Sequence, residues 1–171
     1  MKKSSITILT ILLLLPMALS AQSVNYHYAR SVAKDWDWKE LKLADEAAYH
    51  FARAIKKDYD WKELKALSHE LYCLARALAK DWDWKELKQA NPALYHFARA
   101  LKKDWDWKEL KAAAPDLYFY ARAVAKDSHW KELKQADPGL YHLARAVAKD
   151  WDWKELREAG GEFFLKKHLQ K

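Results

Sequence analysis

Hydrophobic and polar positions recur along this chain with a period of 23 residues. The pattern restarts at six tyrosines, and Phe164 opens a truncated seventh copy. The six starting positions are Tyr26, Tyr49, Tyr72, Tyr95, Tyr118 and Tyr141. A repeat of this length is one supersecondary unit that cannot bury its apolar face alone, so copies must stack on one another.

The first part of each copy has helical spacing. In the fourth copy the apolar positions fall at i, i+3, i+4 and i+7, namely Leu94, Phe97, Ala98 and Leu101. Asn91 followed by Pro92 is typical of an N-cap and a first helical position. The spacing therefore predicts a helix over 92–103 and its counterparts in the other copies.

The second part of each copy predicts a shorter helix. Asp106 and Glu109 have the spacing of a capping box, which places a helix from about Trp107 to Ala113. Trp107 and Leu110 lie on one side of it and are expected to pack inward, between the two helices of the copy. The alternation typical of strands is missing from both parts.

These elements predict an all-α fold, an α-solenoid of six 23-residue two-helix repeats. Adjacent helices pack about 8–10 Å apart, so six repeats should form a rod or arc of about 60 Å. The segment 164–171 is expected to be a partial C-terminal capping helix after Gly160 and Gly161, with Lys166 and Lys167 giving it a polar outer face.

The N-terminus has the pattern of a secretory signal peptide over residues 1–21. Lys2 and Lys3 precede an apolar stretch over 6–17, and small residues follow at 18–21. The apolar stretch is shorter than the roughly 20 residues of a membrane span, and no cysteine stands directly after the small residues at 18–21, where it could carry a lipid. We therefore expect a single repeat domain over 22–171, secreted or periplasmic and neither lipoprotein nor membrane-spanning after cleavage.

Charge and cysteine content narrow the possibilities. The formal net charge is +7, and without the two signal lysines it is (31 − 2) − 24 = +5, spread over the copies. Mixed charge of this density is typical of a solvated surface, so no nucleic-acid partner is expected. Cys73 is the single cysteine, so it cannot form an internal disulfide, and it is expected to be a surface thiol.

Besides Trp107 and its counterparts in the other copies, a second aromatic column lies in the turn before each short helix. It consists of Trp36, Tyr59, Trp82, Trp105, Ser128 and Trp151. Because this column tolerates a serine, we expect it to be partly exposed, where it could stack on sugar rings or fill the groove between copies. The flanking aspartates, such as Asp104 and Asp106, are better explained as helix caps than as calcium ligands, because the residues between and after them are tryptophans and glycine is absent.

An arginine column follows each starting tyrosine by four residues, at Arg30, Arg53, Arg76, Arg99, Arg122 and Arg145. One interpretation is a salt bridge between copies, with the aliphatic stem covering the core edge. The other is a cationic row for a polyanion. A further column holds His27, His50, Cys73, His96, Phe119 and His142, but its members come from separate copies too far apart to share a metal ion.

The stretch from Trp84 to Leu94, WKELKQANPAL, resembles a helical repeat with the pattern W-D-W-x-x-L-x-x-N-P-x-[LI]. Such repeats occur in tandem in uncharacterised proteins of large viruses and some bacteria. The repeat is also similar in length and two-helix content to leucine-rich variant repeats. The resemblance implies a helical solenoid and carries no activity with it.

No nucleophile elbow, phosphate loop or dinucleotide fingerprint is present in the sequence. We therefore expect no enzyme and no cofactor. The favoured function is a scaffold that binds a protein partner, because stacked helical pairs present extended surfaces. The alternative is a module that binds a glycan or another envelope polyanion through the turn aromatics and the arginines.

Overall fold

The computed structural model describes residues 23–170, so the predicted signal peptide lies outside the described part. Twelve α-helices alternate between long and short along these residues, which confirms the two-helix repeat. They are α1 (Val24–Lys34), α2 (Trp38–Ala44), α3 (Glu46–Lys57), α4 (Trp61–Leu67), α5 (His69–Lys80), α6 (Trp84–Ala90), α7 (Pro92–Lys103), α8 (Trp107–Ala113), α9 (Pro115–Lys126), α10 (Trp130–Ala136), α11 (Pro138–Lys149) and α12 (Trp153–Ala159).

The long helices begin at the predicted caps. The side chains of Asp45, Ser68, Asn91 and Asp137 each accept a hydrogen bond from the backbone N–H three residues later. This satisfies a donor that would have no partner inside the helix. Ala114 cannot do this, and there Pro115 occupies the first helical position instead.

The DxD turns join each long helix to its short helix through two residues in the left-handed conformation. In every repeat the first and third turn residues have φ between 51° and 64°. Aspartate tolerates this region better than most residues other than glycine. Asp106 does occupy the N-cap position of α8, but its side chain makes no capping hydrogen bond, so the predicted capping box is wrong.

The six repeats close into a ring. Each long helix packs against the long helices before and after it, and α1 packs against α11 in the same way. Each short helix lies outside, between two consecutive long helices, and α12 lies between α11 and α1. The solenoid is therefore closed on itself, with the long helices inside and the short helices outside.

The contacts at the closure repeat those between the other copies. Trp153 packs edge-to-face on Tyr26 with ring centroids 6.3 Å apart, and Lys34 forms a 2.6 Å ion pair with Asp150. The backbone N–H of Val24 donates to the carbonyl of Gly161. The expected rod or arc of about 60 Å, whose curvature the sequence does not determine, is a closed ring, because the first and last repeats are in contact.

The core lies between the inner and outer helices and around the ring axis. The leucine at the centre of each short helix is fully buried, as in Leu110, together with the alanine before each arginine. One residue per long helix, such as Phe51 or Tyr120, faces the axis at the second position after the starting tyrosine and is buried. Burial raises the pKa of the Tyr28 and Tyr120 hydroxyls far above the ordinary value.

The C-terminal segment fills the centre of the ring at one end. It contains only a 3₁₀ turn, Lys166–His168, so it caps the array without forming a seventh stacked helix. Phe163 and Leu165 are almost completely buried, and Phe164 packs on Tyr28 and Tyr120 with centroids 5.7 and 5.2 Å apart. We call residues 162–170 the tail.

Polar side chains at the N-terminal ends of the long helices hold the tail. Asn25 accepts a 2.9 Å hydrogen bond from the N–H of Phe164, and Asn91 donates one of 2.7 Å to the carbonyl of His168. The carboxylate of Asp116 lies 2.6 Å from Nζ of Lys167 and 2.9 Å from Nε2 of His168. Since all these groups lie at the starts of long helices, the tail covers one face of the ring, which we call the tail face.

Replacing Asp116 by asparagine should lower stability by about 1.5 kcal/mol at pH 7, the usual contribution of a hydrogen bond to a charged group. Burial of this carboxylate disfavours its charge, but hydrogen bonds from His168 and Lys167 outweigh that effect and hold its pKa far below the ordinary value. The stabilisation is therefore present above about pH 4 and lost as the pH falls below it.

Melting temperatures of the wild type and of Asp116→Asn, recorded between pH 7 and pH 2, test this expectation. The two curves should converge below about pH 4. Glu162→Gln is the matched control, because Glu162 forms only an exposed pair with Lys166. A difference that stays constant down to pH 2 would contradict the role assigned to Asp116.

Candidate functional site

The turn aromatics are exposed on the face of the ring opposite the tail. In a closed ring of equivalent repeats, the turns after the long helices all lie at the same face, which we call the turn face. Five large side chains there are 56–60% exposed, namely Trp36, Tyr59, Trp82, Trp105 and Trp151. Their exposure agrees with the prediction, made from the presence of Ser128 in this column, that these positions are partly exposed.

Each turn aromatic is covered on one side by the arginine of its own repeat. In five repeats the guanidinium carbon lies 4.5–5.4 Å from the centre of the aromatic ring and 5.4–5.6 Å from the ring of the starting tyrosine. This is the geometry of a cation–π contact. The sequence-predicted aromatic and arginine columns are therefore brought together in one place.

The same arginines are neutralised within their own repeat. Their Nε atoms lie 2.8–3.0 Å from the second aspartate of the turn, as in the pair of Arg99 with Asp106. Only for Arg76 is the N–H aligned as a hydrogen bond, and the other four are close ion pairs. The expected salt bridge between copies is wrong, because the partner belongs to the same repeat.

The histidine column uses the same aspartates. Nδ1 of His27, His50, His96 and His142 lies 2.8–3.0 Å from the carboxylate that pairs with the arginine. One aspartate thus joins a histidine and an arginine that are three residues apart on the long helix. This explains why its side chain does not cap the short helix.

The tryptophans that begin the short helices lie between repeats and are only half-buried. They are Trp38, Trp61, Trp84, Trp107, Trp130 and Trp153. Each indole packs edge-to-face on the starting tyrosine of the next repeat, with centroids 6.2–6.3 Å apart. Its Nε1 donates to the first aspartate of the turn at 2.8–2.9 Å. The predicted position between the two helices of one copy is therefore corrected to the interface between copies.

A lysine of the next repeat also reaches that first aspartate. Six such pairs, 2.6–2.9 Å long, run around the ring, and the pair of Lys34 with Asp150 completes the circle. The hydrogen bonds from the lysine, and next from the indole, lower the pKa of each of these aspartates. The sequence analysis missed this link, although the Lys-Asp dipeptide is present in every copy.

Together these side chains form a groove between neighbouring repeats. The groove between the first two repeats encloses about 470 Å³. It is lined by Asp35, Trp38, Arg53, Lys57 and Tyr59. It therefore has two aromatic walls and charged groups that are paired with one another. The corresponding columns place equivalent side chains at the other repeat interfaces, except between the fourth and fifth repeats, where Ser128 stands in place of the turn aromatic.

The fifth turn departs from this arrangement. Ser128 replaces the turn aromatic and His129 replaces the second aspartate. His129 packs near Phe119, with centroids 6.0 Å apart, where four of the other repeats pair a histidine with an aspartate. Arg122 forms no ion pair among residues 23–170, and its guanidinium lies over Trp107 of the preceding repeat at 5.1 Å.

Cys73 is buried, so the expectation of a surface thiol is wrong. Its exposed fraction is 1%, and burial raises the pKa of the thiol to about 11. The sulfur lies 3.6 Å from Nε2 of His69 on the same helix. In the part of the chain that the structure describes, no group of histidine, cysteine and acidic side chains is placed to hold a metal ion.

The contacts of the tail use positions that vary between copies, which the sequence analysis did not single out. Asn25 stands where the other copies have alanine or leucine, and Glu70 and Asp116 stand where others have valine, alanine or glycine. All three contact the tail. Sequence differences between copies at the starts of the long helices are the signal that could have indicated a segment, here the tail, that contacts each copy differently.

No protein-family model matches this chain, and no curated protein or solved structure is significantly similar to it. From residue 23 to residue 170, no helix has both the length and the apolar character needed to cross a membrane.

Proposed function

We propose that this protein is a secreted, ring-shaped interaction scaffold that binds a protein partner through the turn aromatics. The observation that supports it is the display of five large aromatic side chains, 56–60% exposed, at one face of the ring. Large exposed apolar side chains grouped in this way are typical of interaction sites. The W-D-W character of the repeat adds no activity to this proposal.

The turn face is favoured over the inner surface because the ring is closed. Open solenoids bind ligands along an extended concave surface. Here the inner surface is core, and the tail fills its centre with Phe163, Phe164 and Leu165. The accessible repeated surfaces that display aromatic side chains are therefore the turn face and the grooves between repeats.

The composition of the turn face favours a protein partner. Tryptophan, tyrosine and arginine are the residues most enriched among those that dominate binding energy at protein interfaces. Five of the six arginines are held in place by an aspartate and so lose little conformational freedom on binding. Several equivalent contacts around one ring would also add avidity.

A glycan is the second candidate, favoured by the two aromatic walls of the groove between repeats. The polyanion form of this alternative has less support. Five of the six arginines are neutralised by an aspartate, so they do not form a free cationic row. A neutral glycan stacked on the aromatic walls remains compatible with the geometry.

Replacing Trp36, Trp82, Trp105 and Trp151 by serine should leave the fold intact and abolish binding. Serine occurs naturally at this position in the fifth repeat, and exposed substitutions usually change stability by less than about 0.5 kcal/mol each. The measurement is a pull-down from the envelope extract of the source organism, with protein and polysaccharide fractions probed separately, beside a thermal melt.

Loss of one captured protein with an unchanged melt would support the scaffold. Loss of polysaccharide retention instead would favour the glycan alternative. If neither fraction is retained differently by the serine variant, the turn aromatics are not the binding surface. A variant with Leu43→Ser, which changes an exposed residue outside the turns, serves as the matched control.

A further inference from the structure

We propose that the fifth turn is a binding site for a planar ring that carries a carboxylate, held by Arg122. This site is independent of the scaffold function, because it lies at the one turn that lacks a turn aromatic. The ligand would supply the two groups that the other five repeats provide for themselves, an aromatic ring over the guanidinium and a carboxylate beside it.

The first group missing in this turn is the carboxylate. In the other five repeats an aspartate lies 2.8–3.0 Å from the arginine Nε. His129 stands in its place, and Arg122 forms no ion pair with any described residue. The Nε of Arg122 is buried without a hydrogen-bond partner, as it is in four of the other repeats, but here no turn aspartate lies beside it, and for such a group a bound ion or ligand should be sought.

The second group missing is the ring. Elsewhere the turn aromatic covers the guanidinium at 4.5–5.4 Å, whereas Ser128 is too short to do so. Ser128 and His129 interact with each other, with Oγ and Nδ1 3.1 Å apart. The guanidinium instead lies over Trp107 of the preceding repeat at 5.1 Å, and its other side is not covered by a ring of its own repeat.

The other charged side chains near the fifth turn are paired with one another, so the positive charge of Arg122 is the net charge of the site. Asp104 lies near enough for Arg122 to contribute to its lowered pKa, after Lys126 and Trp107, which both bond to it. Asp127 is likewise held by Lys149 and by the indole of Trp130. The surrounding carboxylates are thus already paired, so an added anion would meet a positive site.

The chemistry of a guanidinium beside an indole identifies the class of ligand. Arginine binds carboxylates in a planar, bidentate manner and stacks on flat rings. An aromatic acid offers both groups in one molecule. Two sources share this chemistry, a free small aromatic acid and the C-terminal aromatic residue of a peptide, and the two are separable by experiment.

Isothermal titration of the mature protein with indole-3-acetate tests the site, with uncharged indole-3-acetamide as the matched probe. One equivalent of indole-3-acetate should bind, and the acetamide should bind at least tenfold more weakly. An N-acetylated dipeptide ending in tryptophan is the third probe. Tighter binding of the dipeptide assigns the site to a peptide terminus, and tighter binding of indole-3-acetate assigns it to a small acid.

Variants locate the binding at the fifth turn. Arg122→Gln should weaken binding of indole-3-acetate at least tenfold. Ser128→Trp combined with His129→Asp restores the turn residues of four other repeats and should abolish binding while the fold is kept. Binding that survives in this restored turn, or a wild type that binds neither acid, would overturn the proposal.

Copying the fifth turn into the fourth repeat gives the converse test. His96→Phe, Trp105→Ser and Asp106→His together remove the same ring and carboxylate from around Arg99. The stoichiometry for indole-3-acetate should rise from one to two. A folded triple variant that still binds a single equivalent would show that the missing side chains do not create the site.

Discussion

Replacing Phe163 by alanine is expected to lower the free energy of unfolding by about 3–5 kcal/mol, the usual cost of removing a buried aromatic side chain. Phe163 is 2% exposed and packs on Tyr28, Phe51 and Phe164 inside the ring. Urea unfolding followed by circular dichroism measures the effect. Such a loss is a large share of the stability of a typical domain.

Leu43→Ala is the control for this change, since Leu43 is 78% exposed and should alter stability by less than about 0.5 kcal/mol. If Phe163→Ala were as mild as Leu43→Ala, the tail would not occupy the centre of the ring. The expected result therefore tests the placement of the tail separately from the existence of the repeats.

Trp153→Ala and Trp107→Ala should destabilise the protein by nearly equal amounts, about 3 kcal/mol each, at the lower end for tryptophan because both indoles are half-buried. Trp107 packs on Tyr118 of the next repeat, and Trp153 packs on Tyr26 across the closure. In a closed ring the two interfaces are equivalent. In an open array the last repeat would have no such neighbour.

Parallel denaturation curves of the two variants decide between these geometries. A loss for Trp153→Ala much smaller than that for Trp107→Ala would indicate an open array with a weakly held end. Trp105→Ala provides the reference for an exposed tryptophan and should be close to the wild type, because its side chain is 58% exposed.

The helices could be predicted from the sequence because their signals are local. The bounds 92–103 and 107–113 follow from the caps, the proline and the apolar spacing, and the structure has α7 and α8 at those bounds. The exposure of the turn aromatics was also predictable, because a column that accepts Ser128 is not fully buried. Each of these conclusions needs only the residues of one copy.

Closure of the ring could not be predicted because it depends on small angles between copies. Six equal steps must add to one full turn, and no single residue fixes the rotation of one repeat on the next. The partner of each arginine was missed for a related reason. The second turn aspartate is in the left-handed conformation, which turns its side chain away from the short helix and toward the long one.

The path of the tail into the ring could not be predicted because its sequence resembles the start of another copy. Phe164 stands at the position of a starting tyrosine, but no space for a seventh repeat remains once α12 contacts α1. Gly160 and Gly161, both with positive φ, turn the chain inward instead. The polar residues that bind the tail indicate its position only once it is known that the copies surround one axis.

Closure also constrains how the gene for this protein can change in length. An open array can lose or gain a 23-residue copy at either end, and each remaining copy keeps its neighbours. Here every copy has two neighbours, and α1 takes the place that a next long helix would occupy after α12. Deleting or duplicating one unit would change the rotation required at every interface at once. The geometry of the ring therefore fixes the number of copies, although the sequence of a single copy can still change.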